Sequence, residues 1–427
     1  MNTSASKSSG SVAALSAMMF LQFFVWGSWY VSMTGWINQT GLSSLTALAY
    51  TVCPLAAVFS PLFLGMVADR FFASQKVLGL LHLIGATFML LLPLCVAGTS
   101  PDTPQNFFHP FILLLLGHAL CYMPTLGLSS SVAFHHIANP EKTFPIIRVF
   151  GTIGWIVGNI VVTLLPGGDK SAGQFYLTGA AGAALGLFSF LLPHTPPPLA
   201  GRKTSVREAL GLDAFALMKD RSYLVFIICS FLICIPLAGY YQQARNFVDF
   251  SAFQAPTFIM SFGQMSEILC MLIMPLCFAR LGVKKMLLIG MLAWVARYGL
   301  FAAAAPERFQ AFVIAGVLLH GICYDFFFVT GQIYVDKATP HAMRGQAQGF
   351  FVLVTQGLGM IIGAFVFGEL VQAYQPAAAD QAPDWYHIWL WPAIAAAVIA
   401  AVFVVFFRPD RTGARPDPLT QVDGVTP

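Results

Sequence analysis

The sequence predicts an all-α polytopic membrane protein, with twelve transmembrane helices in two six-helix halves. Three observations predict it. Of 427 residues, 57% are hydrophobic and only 9% are charged, against about 25% charged in an average soluble domain. That is too little charge to cover a water-facing surface of this size, and the same numbers exclude a disordered chain. Apolar runs of roughly bilayer-crossing length, about 20 residues, recur along the whole chain. Finally, Lys and Arg concentrate in every second connecting segment.

The helices are placed at 13–37, 44–67, 76–97, 108–134, 145–166, 174–193, 222–247, 254–280, 284–304, 309–336, 343–370 and 386–408. Lipid cannot satisfy a backbone N–H or C=O, so a helix, which bonds internally, is the natural spanning element. A barrel would show short alternating segments, and these runs are continuous. With the N-terminus in the cytoplasm, seventeen of the 22 Lys and Arg residues fall in cytoplasmic segments and only Lys170 and Arg308 in outer ones. Arg148, Arg245 and Arg297 lie in spans or at their ends. This is the positive-inside asymmetry, and it puts both termini in the cytoplasm. A miscounted span would scramble the alternation, so the asymmetry supports the count too. No small-residue cleavage site is evident near the first apolar run, which reads as a retained helix rather than a signal peptide.

Residues 1–193 are read as an N-terminal six-helix bundle, 194–221 as a cytoplasmic linker, 222–408 as a C-terminal bundle and 409–427 as a cytoplasmic tail. The linker carries TPPP and then SVREALGLDAFALMKD, a Pro-rich stretch followed by a short amphipathic helix. Two six-helix halves around a central site is the arrangement of many secondary transporters. Short basic turns, GMVADRFFASQK (65–76) and FARLGVKKM (278–286), occupy the same place in each half. There Asp69 and Arg70 either cap and pair across helix ends or form a solvated turn.

A charge in the hydrocarbon core costs roughly 2.5 kcal/mol or more, so such residues face a cavity or a partner. Nearly all acidic residues sit in loops or near helix ends; Glu267 and Asp325 lie midway along the eighth and tenth spans. Gln264 precedes Glu267 by three residues, which stacks an amide and a carboxylate on one helix face. Such a pair clamps a ligand rich in hydroxyl or N–H groups, or else acts as polar glue between helices. Asp325 sits among Tyr324, Phe326, Phe327 and Phe328. A carboxylate in such low dielectric can load and release a proton near neutral pH; the competing reading is an ion pair with Arg148 or Arg297.

Arg148, Thr152 and Trp155 share a face of the fifth span, offering a cation, a hydroxyl and an aromatic plate that stacks on a flat ring. Arg148 otherwise reads as an interfacial residue snorkelling to the cytoplasm. In the seventh span Pro236 and Gly239 weaken the helix before the cluster Tyr240, Tyr241, Gln242 and Gln243, which lines a site or joins an interfacial belt. Trp26 and Trp29 of the first span read as packing, and Arg297 as structural. His320 lies five residues before Asp325 and either lines the same cavity or packs.

Several chemistries are missing from the pattern. No H-x-x-x-H spacing occurs, and none of the eight cysteines forms a C-x-x-C pair, so no metal is expected and the cysteines read as packing residues. There is no phosphate-binding G-x-x-x-x-G-K-[ST] run, nucleophile elbow or kinase set. The chain therefore reads as no enzyme, without a cofactor, and uphill transport would draw on an ion gradient. The net charge of +4 is no nucleic-acid footprint.

The segments LQFFVWGSWY (21–30), LGMVADRFF (64–72), YMPTLGLSSS (122–131), FPIIRVFGTIGW (144–155), LGLDAFALMKD (210–220), GQMSEIL (263–269), YDFFFVTGQIYVDK (324–337) and RGQAQGFF (344–351) together resemble the nucleoside:proton symporters of the major facilitator superfamily. The resemblance covers nearly all spans. It implies alternating access with nucleoside bound centrally, in a monomer of the cell inner membrane. It implies that Arg148, Thr152, Trp155, Gln264, Glu267, Tyr324 and Asp325 bind substrate, with Asp325, and secondly Glu267, coupling the proton. The seventh helix departs from the pattern: relatives place a Gln and an Asn where ungapped placement puts Ala238 and Tyr241. Tyr241 and Gln242 are the substitutes there, and His320 replaces an expected Tyr. A carrier of another small polar solute, such as a sugar, is the alternative.

Overall fold

In this computed structural model, the described residues are 2–63, 72–97, 103–137, 140–197, 212–340, 344–376 and 381–408. Asp69, Arg70, residues 198–211 of the linker and the 409–427 tail lie outside them. Regular structure among the described residues is entirely helical. The N-terminal half comprises α1 (Asn2–Gly27), α2 (Met33–Gln39), α3 (Thr46–Phe63), α4 (Ser74–Ala97), α5 (Pro110–His136), α6 (Pro140–Leu164) and α7 (Gly173–Ser189). The C-terminal half comprises α8 (Arg221–Phe250), α9 (Pro256–Ala304), α10 (Gln310–Leu318), α11 (His320–Tyr324), α12 (Thr330–Ala338), α13 (Arg344–Val352), α14 (Met360–Ala373) and α15 (Trp385–Phe406). Eight helices among the described residues are long and apolar enough to cross a bilayer, and Val12–Gly27 and Ser43–Phe59 are shorter apolar ones.

The rod α9 holds two of the expected spans. A straight helix would put Gly263 and Arg297 about 50 Å apart at 1.5 Å per residue. Yet a Cβ on Gly263 would touch the Val317 carbonyl, and the Arg297 Nε donates to the Gly316 carbonyl. The chain therefore doubles back between them. It does so at Gly282, whose φ of 69° and ψ of 175° are open to glycine and costly for a residue with a Cβ.

Three spans differ from the regular rods that the periodicity predicts. The first stops at Gly27 and resumes at Met33. Across this break Ser28 bonds the Thr178 hydroxyl and Ser32 donates to the Gln174 side-chain oxygen, both on α7, which compensates for the interrupted ladder. The tenth and eleventh spans each contain a wide π turn, at Asp325–Val329 and Leu353–Gly359. By contrast α8 runs unbroken through Pro236 and Gly239, where the sequence anticipates weakening. The Tyr298 hydroxyl braces the Pro236 carbonyl and Phe367 fills the groove at Gly239.

Each half has its own apolar interior. One core runs from Ala214 to Phe407, with Val31 the contribution from the other half, and two more draw on residues from Leu15 to Leu192. Leu94, Leu187, Leu269 and Leu272 point outward and are exposed, as lipid-facing leucines must be. The halves meet where α3 packs on α14 and α6 on α9. That seam holds the polar residues of interest.

Candidate functional site

From the N-terminal half, α6 carries Arg148, Thr152 and Trp155 to the seam. The Arg148 guanidinium lies 4.1 Å from the Phe23 ring centroid, and its Nη1 is buried without a partner. Trp155 meets Trp26 edge-on at 5.3 Å and Tyr30 at 6.4 Å. From the C-terminal half, Tyr241 meets Tyr30 at 5.6 Å, so an aromatic wall crosses from one bundle to the other. The sequence flagged Trp26 as packing and passed over Tyr30; both line this wall, and a generic aromatic run gave no signal to separate them.

The acids come from α9 and the π turn. Gly321 makes their approach possible, because a Cβ there would stand 2.6 Å from the Ser266 carbonyl and 2.7 Å from the Glu267 nitrogen. Close packing at Gly321 seats the α11 segment against Glu267. Asp325 follows in the widened turn, fully buried, and neither carboxylate oxygen has a hydrogen-bond partner. An ion pair with Arg148 or Arg297 is therefore not formed. Asp325 does lie within electrostatic reach of Glu267, and both acids within reach of Arg148. Gln264, one turn from Glu267, buries an unpartnered Oε1. The Glu267 Oε2 stands 4.0 Å from the His320 Nε2, and Tyr324 packs against Phe328 at 4.9 Å.

Arg148, Trp155, Tyr241, Gln264, Glu267, Tyr324 and Asp325 thus gather at the seam, with Thr152 buried one turn from Arg148. Gln242 does not join them. Its Nε2 donates to the Ala364 carbonyl, and it lines a separate crevice of about 940 Å³ with Gln243, Asn246 and Gln372. The reason is helical geometry: successive residues differ by about 100° around the axis, so Tyr241 and Gln242 face different neighbours. Chemically, the gathered set offers a cation, two acids, an amide and aromatic faces, which suits a ligand combining a flat ring with hydroxyl groups.

At one end of the seam an ion cluster ties the halves together. Asp169, in the turn before α7, accepts from the Arg245 Nε at 3.0 Å and Nη2 at 2.9 Å. Arg245 also donates to Asp249 at 2.9 Å, Lys170 approaches Asp249 at 3.4 Å, and the Thr257 hydroxyl donates to Asp169. Arg245 is 1% exposed. From sequence, Asp169 looked like an ordinary loop acid, since nothing local marks a partner 76 residues away.

A family model described as nucleoside H+ symporter matches residues 10–412. The chain is 39% identical over 408 residues to the putative nucleoside transporter YegT of Escherichia coli K12, covering 93% of each. It is 33% identical to the nucleoside permease NupG of the same organism, covering 92% of this chain and 95% of that one. The fold matches a crystal structure of a mutant of NupG with a TM-score of 0.83 at 31% identity, over 93% of this chain and 100% of that one. A POT family transporter, solved in complex with a thioalcohol-conjugated peptide, shares the fold at 14% identity, with a TM-score of 0.67 over 92% and 95% of the two chains. The chain belongs to the nucleoside H+ symporter family.

Proposed function

We propose that the gathered residues at the seam form one central site where a nucleoside and a proton are carried together. The protein is a transporter, not an enzyme, and imports nucleosides with protons by alternating access. Arg148, Thr152, Gln264 and Glu267 bond ribose hydroxyls and base edges, while Trp155, Tyr241 and Tyr324 pack on the rings. Asp325 takes up the coupled proton, with Glu267 the second acceptor. Protonation from outside neutralises the site so that the loaded carrier reorients; deprotonation inside releases both cargoes.

The observation that carries this reading is the buried Asp325 carboxylate, without a hydrogen-bond partner and within electrostatic reach of Glu267 and Arg148. Two acids so placed repel when both are charged, which favours one shared proton. The Lys and Arg asymmetry supports an inner-membrane orientation with both termini cytoplasmic. The Asp169–Arg245 cluster then lies at the outer end. A monomer suffices, since one chain supplies every group named.

The test is uptake of radiolabelled uridine and adenosine into liposomes holding the full chain, with an inward proton gradient and with a protonophore. Asp325→Asn should abolish gradient-driven accumulation while exchange of nucleoside persists. Normal accumulation in Asp325→Asn rejects the assignment.

A further inference from the structure

We propose that His320 is a positioning residue for Glu267, holding its carboxylate in the empty carrier and yielding it when proton and ligand arrive. The inference rests on Glu267 being a ligand and coupling residue.

The geometry begins with a clamp. The His320 ring stacks on Tyr240 at 5.6 Å and 17°, and on Tyr324 at 5.8 Å and 27°. Behind it, a Cβ on Gly263 would stand 3.0 Å from the His320 Cβ. Both tyrosines are themselves braced. Arg297 lies 4.1 Å from the Tyr240 centroid, and Phe328 packs on Tyr324. The imidazole is 3% exposed and has little room to rotate.

This fixed ring points its Nε2 at Glu267, 4.0 Å from Oε2. A nitrogen–oxygen hydrogen bond needs about 2.7–3.2 Å, so the pair attracts without locking. A neutral imidazole has one N–H. With that proton on Nε2, His320 can donate to an ionised Glu267 and leave Nδ1, which is buried without a partner, as an acceptor. When Glu267 gains a proton from the outer aqueous side it becomes a weaker acceptor, and the hold of His320 loosens. The freed carboxyl turns to the nucleoside, and the same proton leaves Glu267 toward the cytoplasm. His320 itself neither gains nor loses a proton in the cycle.

The charged and titratable groups around His320 fit a fixed partner of this kind. Arg297, from the returning arm of α9, acts electrostatically on the ring. Tyr240 comes from α8, Cys323 and Tyr324 from its own segment, and Glu267 from the first arm of α9. Glu267 is the acid whose contact with the imidazole is within ion-pair range.

The experiment compares the wild-type chain, H320F, H320Q and E267Q in liposomes, measuring uridine uptake from about pH 5 to 8, wide enough to follow protonation of a buried carboxylate. H320F keeps a ring between the tyrosines and removes the N–H. It should lower KM about tenfold, equal to ~1.4 kcal/mol, because the competing hold on the carboxylate is gone, with kcat changed less than threefold, roughly. It should also move the alkaline limb of the uptake profile to higher pH. H320Q, whose amide can donate in place of Nε2, should recover most of the KM. An unchanged KM and pH profile in H320F overturns the proposal, as does H320Q behaving like H320F. Wild-type KM together with wild-type accumulation in E267Q instead overturns the reading of Glu267 as ligand and second acceptor, so the two failures are distinct.

Discussion

Arg148 illustrates how far a single residue could be read and where the reading stopped. A cation near the start of an apolar run had two explanations, a snorkelling anchor or a site residue. The structure puts its guanidinium over Phe23, with a buried, unpartnered Nη1 and within reach of both acids. Arg148→Lys keeps the charge but loses the planar fork and the ring stacking. It should raise the KM for nucleoside about tenfold, and Arg148→Ala by more, as one or two charge-assisted bonds at about 1.5–3 kcal/mol each require. Uptake at varied nucleoside concentration measures both; an Arg148→Lys carrier with wild-type KM would argue for a diffuse electrostatic role. Glu267 and Asp325 were legible because a carboxylate inside an apolar run is costly wherever it sits. Tyr30 and Asp169 were not, because their meaning comes from partners on the opposite half.

Elements were legible where composition alone decides them. Most apolar runs marked helix ends to within a few residues, since lipid forces internally bonded helices, but the first helix begins at Asn2 rather than near residue 13 and breaks at Gly27. The irregularities inside them were not legible. The π turn at Asp325–Val329 is encoded by no spacing rule. The reversal at Gly282 read as a basic loop rather than a single left-handed residue. Gly321 is the junction between element and site. Gly321→Ala would press a methyl against the Ser266 carbonyl, 2.6 Å away, and overpacking of this kind costs roughly 1–3 kcal/mol. The purified protein should melt several degrees lower and lose nucleoside affinity together. Gly282→Ala, at a site with nothing within 4 Å of the added methyl, should cost about 1–3 kcal/mol of backbone strain with affinity intact. Equal loss of affinity in both would separate Gly321 from the site.

For the whole molecule, the Pro-rich linker led to the expectation of two six-helix halves around a central site. Which end of the seam is shut was not legible, because that depends on contacts between distant segments. The Asp169–Arg245 pair, buried and doubly bonded, closes it. Stranding one charge of a buried pair costs about 3–5 kcal/mol; Arg245 keeps Asp249 as a partner, so losing the Asp169 charge costs less than that but still weakens the tie between the halves. Asp169→Asn should therefore shift the carrier toward the form open at that end. Spin labels placed on the two bundles at that end should report a longer mean distance in Asp169→Asn than in the wild type; an unchanged distance distribution would show that other contacts keep the end closed.

Arg245 and Tyr241 stand four residues apart on the unbroken rod α8, about 6 Å along its axis. The same face of this short lever grips Asp169 through Arg245 and leans on Tyr30 through Tyr241. A flat guest wedged beside Tyr241 cannot tilt the rod without straining the grip above it. If the proposed site holds the nucleoside, occupancy of the chamber and release of the Asp169–Arg245 grip are coupled through a single turn of helix.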